Sequence, residues 1–324
     1  MENLQLKKVS IFDSSVLSFN LGNQIIADSI QGFIDKNLSN SYVIKLQYTE
    51  RIRHKSKKYI RNSDATILAG TNSLSSNILS FEQFPINLLD LVTINNLILC
   101  GVGWFQYQKK PNLINKTLLK ILLSGDYKHS VRDSFTKNML ESIGFSNVIN
   151  TSCPTLWDIT LDDISNIPIH KAQNAITTLT DYNKNTSLDT KFLNLICSNY
   201  DKVFFWPQGL GDYDYLLKIL SETNLDVEII EPNLSAYNAI LDHENVDYIG
   251  TRLHAGIRAI QKGIRTFIIA VDNRASEISK DINIPCAQRK DYEQLLKFIN
   301  KTKKTEITIP YEQIEEWKSQ FKDF

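Results

Sequence analysis

The sequence predicts an α/β protein built from two doubly wound parallel-sheet domains. Three observations carry this. Short apolar runs, among them residues 9–12, 65–70, 203–206 and 266–271, alternate with stretches of helical periodicity, the rhythm of strands buried on both faces and joined by crossover helices. The alternation lapses in the polar stretch 158–171 and then restarts, which marks a linker. A chain of 324 residues also suffices for two domains that each bury a core. The expected division is residues 1–165 and 166–324, with the deepest cleft between the two sheets and the strand carboxyl ends facing it.

Apolar residues make up 42% of the chain and charged residues 22%, which excludes a disordered or collagen-like protein. Lys and Arg number 36 and so do Asp and Glu, so no global field draws nucleic acid or an anionic membrane, and any anion site must be local. Cys100, Cys153, Cys197 and Cys286 stand far apart with no C-x-x-C pair; neither a zinc ribbon nor a disulfide framework is expected, and no metal cluster is visible. The opening MENLQLKKVSIFDSS lacks the apolar run of a signal peptide, and no window approaches about eighteen uncharged apolar residues. The expectation is a cytoplasmic protein, with room for peripheral attachment at the inner face of a membrane.

In the first half, residues 9–12 form a strand and Gly22-Asn23-Gln24 open a helix whose Ile25, Ile26, Ile30 and Phe33 lie on one side. Gly22 and Asn23 suit a close backbone approach and an N-cap, which makes this a candidate ligand loop. Residues 42–46 are the next strand. The run 51–61, RIRHKSKKYIR, reads as a solvated helix face and not a nucleic-acid patch, because the chain is neutral and no aromatic stacking pattern accompanies it. Strands at 65–70 and 97–103 end in glycine; the second, LILCGVGW, holds a lone G-x-G without the rest of a dinucleotide fingerprint or the lysine of a P-loop. Residues 129–143 carry a strand end into a helix, with Arg132 at the junction and Asp133 or Ser134 as the cap. A surface pair between Arg132 and Asp133 is the alternative. A last strand and turn follow at 148–154.

In the second half, strands at 175–179, 203–206, 227–230 and 246–249 alternate with helices at 188–197, 213–220 and 236–241. The stretch 246–277, VDYIGTRLHAGIRAIQKGIRTFIIAVDNRASE, is a strand, a glycine turn, a helix and a second strand. Thr251 is expected to cap the helix, which puts Arg252 and His254 in its first turn. Free backbone N–H groups, the positive end of the helix dipole and a guanidinium then meet where a phosphate or carboxylate would be held, beside a histidine that titrates near neutral pH. A cation at a helix N-terminus needs a reason, and a bound anion supplies one; a structural role for either side chain is the alternative. The final segment 310–324 places Tyr311, Ile314, Trp317 and Phe321 at helical spacing, an amphipathic helix expected to pack across the domain junction.

Five blocks, FNLGNQII (19–26), SVRDSFT (130–136), SCPTLW (152–157), FFWPQGLGDYDYL (204–216) and YIGTRLHAGIRAIQKG (248–263), span most of the chain and together resemble the polysaccharide pyruvyl transferase family. The resemblance implies a fold similar to GT-B glycosyltransferases, with two Rossmann-like domains facing each other across a cleft. It also implies transfer of a pyruvyl group from phosphoenolpyruvate to two hydroxyls of a saccharide, as a ketal, in surface or exopolysaccharide biosynthesis. No cofactor or metal is implied, phosphoenolpyruvate being a co-substrate and arginines supplying the charge stabilisation. The other partner is a saccharide acceptor, free or lipid-linked; nucleic acid is not one.

The planar fork of arginine suits both anionic groups of phosphoenolpyruvate, so Arg132 and Arg252 are the implied donor ligands, together with Thr251 and with Arg258 on the helical face of His254. His254 and Arg252 are the implied catalytic residues, His254 as the acid that protonates the enol methylene or the base that deprotonates a hydroxyl. Asn20, Asn23, Gln208 and Asp212 fall to the acceptor, with Asp214 beside them and Asp212 as a second base. One departure is that many relatives carry Gly-Asp where this chain has Gly22-Asn23, so Asn23 is not assigned as an acid or base. A nucleotide-sugar glycosyltransferase of the same architecture is a second reading, with Glu277 as its ribose contact. A non-catalytic saccharide-binding relative is a third.

Overall fold

The computed structural model describes residues 6–94 and 96–324. The chain forms two compact units, each mixed α/β with parallel sheets. Unit 1 takes the chain up to Ser18, Ile26–Trp157 and Ile309–Phe324; unit 2 takes Phe19–Ile25 and Asp158–Thr308.

Unit 1 runs β1 (Lys7–Asp13), α1 (Leu21–Asn37, whose first turn belongs to unit 2), β2 (Ser41–Leu46), α2 (His54–Arg61), β3 (Ala65–Ala69), α3 (Leu88–Thr93), β4 (Leu97–Cys100), α4 (Leu113–Leu122), β5 (His129–Val131), α5 (Ser134–Glu141) and β6 (Val148–Asn150). The strands pair in the order β2-β1-β3-β4, all parallel, and a bridge between Val102 and Val131 leads on to the parallel pair β5-β6. β3 and β4 are buried at every position, as apolar runs without alternation require in a sheet covered on both faces. Phe12, Leu68, Leu99, Trp104 and Leu119 share the core.

Unit 2 runs α6 (Leu161–Ser165), β7 (Asn174–Thr177), α7 (Thr186–Cys197), β8 (Val203–Phe205), α8 (Asp212–Ser221), β9 (Glu228–Ile229), α9 (Leu234–His243), β10 (Val246–Gly250), α10 (Leu253–Gln261), β11 (Thr266–Ala270), α11 (Asn273–Ile282), β12 (Cys286–Gln288) and α12 (Tyr292–Asn300). Its parallel sheet has the order β12-β11-β10-β7-β8-β9. From β7 the chain winds outward through β8 and β9, then returns to the other side with β10. The direction therefore reverses between β7 and β10, where the loops part and ligands of open α/β sheets bind.

Three expectations need correction. The last helix, α13 (Tyr311–Lys318), packs within unit 1 and so does not belong with residues 166–308. Trp317 is fully buried, with its ring 5.3 Å from Phe33 and 5.4 Å from Trp157, and its indole N–H donates to the Lys128 carbonyl at 2.9 Å. Periodicity shows that a helix has an apolar face, not which core receives it. The helix α1 starts at Leu21, so Asn23 lies inside its first turn and the side chain of Asn20 accepts the Gly22 N–H at 3.0 Å instead. The strand read over 97–103 stops at Cys100, because Gly101 turns the backbone to a φ of 63°. Among the described residues no helix is long and apolar enough to cross a membrane, and none of the four cysteines is in a disulfide.

Candidate active site

In unit 2 the loops after β7, β8 and β10 meet at the reversal point of the sheet. Thr251 does not cap α10: its hydroxyl bonds Thr180 Oγ1 at 2.8 Å and the Thr178 carbonyl at 3.2 Å, fastening the end of β10 to the end of β7. Arg252 takes the N-cap position, its backbone N–H donating to Thr178 Oγ1 at 3.1 Å. The guanidinium is buried, with Nε bonded to Asp212 Oδ2 at 3.0 Å and to the Leu179 carbonyl at 3.1 Å. Its Nη2 bonds Asp181 Oδ1 at 2.9 Å and also Asp212 Oδ1, and the charge lies 5.0 Å from the centre of the Tyr182 ring. Two carboxylates of the protein thus meet Nε and Nη2 of the cation at this helix start.

Asp212 is fully buried and begins α8; its oxygens also accept the Gly209 N–H at 2.7 Å and the Asp181 N–H at 3.1 Å. Burial pushes its carboxyl up, and the Arg252 charge and these donors pull it back. Gly209 is required because a Cβ there would overlap Arg252 Nη2. The neighbouring Gln208 is buried and reaches the start of α1, where its Nε2 donates to Asn20 Oδ1 at 3.0 Å and its carbonyl accepts the Leu21 N–H at 2.9 Å. Its Oε1 is buried with no hydrogen-bond partner among the described residues. Asp212, Thr251 and Arg252 thus belong to one network with Thr178, Thr180 and Asp181, and the bonded pair Asn20–Gln208 adjoins it along the chain at Gly209. His254 is buried in the first turn of α10, while Arg258 stands in the last turn with its charge near the phenol of Tyr237. Asp214 is exposed on α8, and Glu277, on α11, pairs with Lys280 at 2.5 Å.

In unit 1, Arg132 follows β5 and is 1% exposed. Its Nη2 donates to Asn72 Oδ1 at 2.6 Å and lies 3.4 Å from Asp133 Oδ2. Asp133 therefore pairs with Arg132 through Oδ2, as a buried pair and not a surface one, while its Oδ1 caps α5 by accepting the Thr136 N–H at 2.7 Å and the Thr136 hydroxyl at 2.7 Å. Arg132 Nε and Nη1 are buried with no hydrogen-bond partner among the described residues. The guanidinium rests on Gly103, where a Cβ would overlap it. Nearby strand ends are unusually bent: Thr71 and Ser152 hold φ values of 56° and 60°, a left-handed conformation that costs side-chain-bearing residues energy and recurs at ligand sites. Ser152 Oγ is likewise buried without a hydrogen-bond partner among the described residues.

A model of the family described as polysaccharide pyruvyl transferase matches residues 20–273. The chain belongs to this family. Among solved structures it is similar to the Methanocaldococcus jannaschii UDP-GlcNAc 2-epimerase in complex with UDP-GlcNAc and UDP, with a TM-score of 0.54 and 11% identity over 94% of this chain and 95% of that one. It is similar too to the S. aureus MnaA–UDP structure (TM-score 0.55, 13% identity, 94% and 92% covered) and to a putative UDP-N-acetylglucosamine 2-epimerase from Listeria monocytogenes (0.52, 12%, 94% and 92%). These neighbours have the GT-B fold, and at such identities the likeness is one of fold alone. No curated protein matches the chain in sequence.

Within this member of the family, the sequence blocks have physical roles. The SCPTLW block brings Ser152 to the strand ends, and its Pro154 ring fills the space over Gly101. The PQGLGD block supplies the buried Gln208, the bare Gly209 and the carboxylate for Arg252. Sequence reasoning missed Asn72, Thr178, Thr180 and Asp181. All four follow the last residue of a strand, so a systematic search of polar residues just past each strand end would have found them.

Proposed function

We propose that the protein transfers a pyruvyl group from phosphoenolpyruvate to two hydroxyls of a saccharide, making a cyclic ketal for a surface or exopolysaccharide. One observation supports this most: Nε and Nη1 of the buried Arg132 guanidinium have no partner among the described residues. A buried donor without a partner costs roughly 1–3 kcal/mol, and more when charged, so the arrangement makes sense where a ligand completes it. A carboxylate or phosphate accepts two parallel N–H bonds from such a fork. In the reaction the enol methylene gains one proton and becomes a methyl group. Both hydroxyl oxygens bond to C2, the bond from C2 to the phosphate oxygen breaks, and of the two hydroxyl protons one matches that taken up by carbon while the other leaves with phosphate. His254 is the proposed proton carrier. Arg252 is proposed to hold the Gln208–Asp212 loop in shape, while Asn20 and Gln208, with the spare Oε1 of the latter, contact the acceptor.

Thermal unfolding with phosphoenolpyruvate, beside a panel of nucleotide sugars, tests this in the native protein and in Arg132→Met. A ligand at a hundred times its dissociation constant adds roughly 2.7 kcal/mol. Stabilisation by phosphoenolpyruvate that Arg132→Met abolishes is the expected result. Stabilisation by a nucleotide sugar alone would transfer the protein to glycosyl transfer.

A further inference from the structure

The surface of unit 1 carries an apolar face that the site does not use. On α3, Leu88, Leu89 and Val92 are exposed, Leu89 by 74% and Val92 by 73%; on α4, Leu113, Ile114 and Ile121 are exposed, Leu113 by 77%. These residues recur at helical spacing, and the opposite faces of both helices, Leu91 on α3 and Leu118, Leu119 and Leu122 on α4, fill the core. The helix α3 packs against α4 and also against α2, so the apolar face and the basic α2 form neighbouring parts of one surface. Residues 51–61 hold six Lys or Arg and residues 109–120 hold four, with no Asp or Glu in either segment, although the whole chain is balanced at 36 of each sign. Most of these side chains are exposed; Lys57, which pairs with the buried Asp90 at 2.6 Å, ties α2 to α3.

We propose that the α2–α3–α4 face docks on an anionic lipid surface, with the leucines, isoleucines and valine entering the headgroup layer and the flanking lysines and arginines meeting lipid phosphates. Charge complementarity selects this occupant. A second copy of the chain would set the two basic segments against their own images, and a nucleic acid would give the six aliphatic side chains nothing to bury against. Apolar contact and polybasic attraction are the two signals that together hold a peripheral protein reversibly. The proposal stands on the surface alone and does not depend on the donor used in the site.

The test is co-sedimentation of the full chain with vesicles of phosphatidylcholine alone or mixed with phosphatidylglycerol, at low and high salt. The expected result is binding to the mixed vesicles that weakens with salt, and a loss of roughly tenfold or more in Leu89→Glu/Ile114→Glu. Leu161→Glu, at an equally exposed leucine on α6, should bind as the native chain does. The substituted side chains are on the surface, and an unchanged circular dichroism melt establishes that the variants fold. Absence of binding to the mixed vesicles, or binding that the double variant leaves unchanged, overturns the proposal. So does a dimer in light scattering that the double variant splits, which would give the face to a second copy.

Discussion

Arg252 and Asp212, forty residues apart in sequence, form a buried two-point ion pair in which Nε meets Oδ2 at 3.0 Å and Nη2 meets Oδ1. Asp181 adds a third contact at 2.9 Å. Replacing Arg252 by alanine strands one fully buried carboxylate and one half-buried one, and should destabilise the protein by about 3–5 kcal/mol. Arg252→Ala/Asp212→Ala should recover part of that loss, with a coupling of about 1–3 kcal/mol in denaturant melts. Strict additivity of the two substitutions would show that the pair does not brace the loop.

Arg132 is held more loosely. Nε and Nη1 have no hydrogen-bond partner among the described residues and only Nη2 reaches Asn72 and, at 3.4 Å, the buried Asp133, so Arg132→Met should destabilise the protein by less than Arg252→Ala does, by about 1–3 kcal/mol. The same substitution should remove stabilisation by phosphoenolpyruvate and release of phosphate. A large loss of stability in urea would mean that the guanidinium is structural.

Gly209→Ala forces a methyl group into the space of Arg252 Nη2 and should cost about 1–3 kcal/mol, together with a fall in turnover as the Gln208–Asp212 loop shifts. Gly125→Ala, where nothing lies within 4 Å of the added carbon, should stay within about 0.5 kcal/mol. Equal thermal midpoints for the two variants would dismiss the close approach.

His129 links stability to acid. It is fully buried on β5, with Nε2–H donating to the Ser124 carbonyl at 2.9 Å and Nδ1 accepting the Leu99 N–H at 3.3 Å, so the ring is neutral. Burial holds its pKa down at about 4, against roughly 6.5 in an unfolded chain. Between these values the unfolded chain binds a proton that the folded one refuses. The contribution is therefore intact above pH of about 6.5 and is lost as pH falls toward 4, on the order of 3 kcal/mol in all. His129→Gln should be less stable at neutral pH yet lose less between those limits in urea melts repeated across pH.

The alternation of apolar runs with helical periodicity is a property of neighbouring residues, and it was enough to read two parallel-sheet units from the sequence. Local chemistry also placed Arg132 and Arg252 at strand-to-helix junctions and offered Asp133 as a cap, which it is. The five blocks, read together, pointed to the family whose model matches residues 20–273.

Partners brought together by strand order were not legible. Periodicity says that a strand is buried but not which strands flank it, and β7 lies between β10 and β8 only because the unit 2 sheet reverses direction there. That order carries Asp181, Asp212 and Arg252 to one point from loops distant in sequence, giving the guanidinium carboxylate partners that no local pattern announces. The sequence by itself determined the elements, their alternation and the basic residues at their junctions, because these depend on contacts a few residues long. Only the tertiary structure decided that Arg252 Nε and Nη2 meet Asp212 while Arg132 Nε and Nη1 have no partner among the described residues, since hydrogen-bond pairing depends on every chain segment that reaches the site.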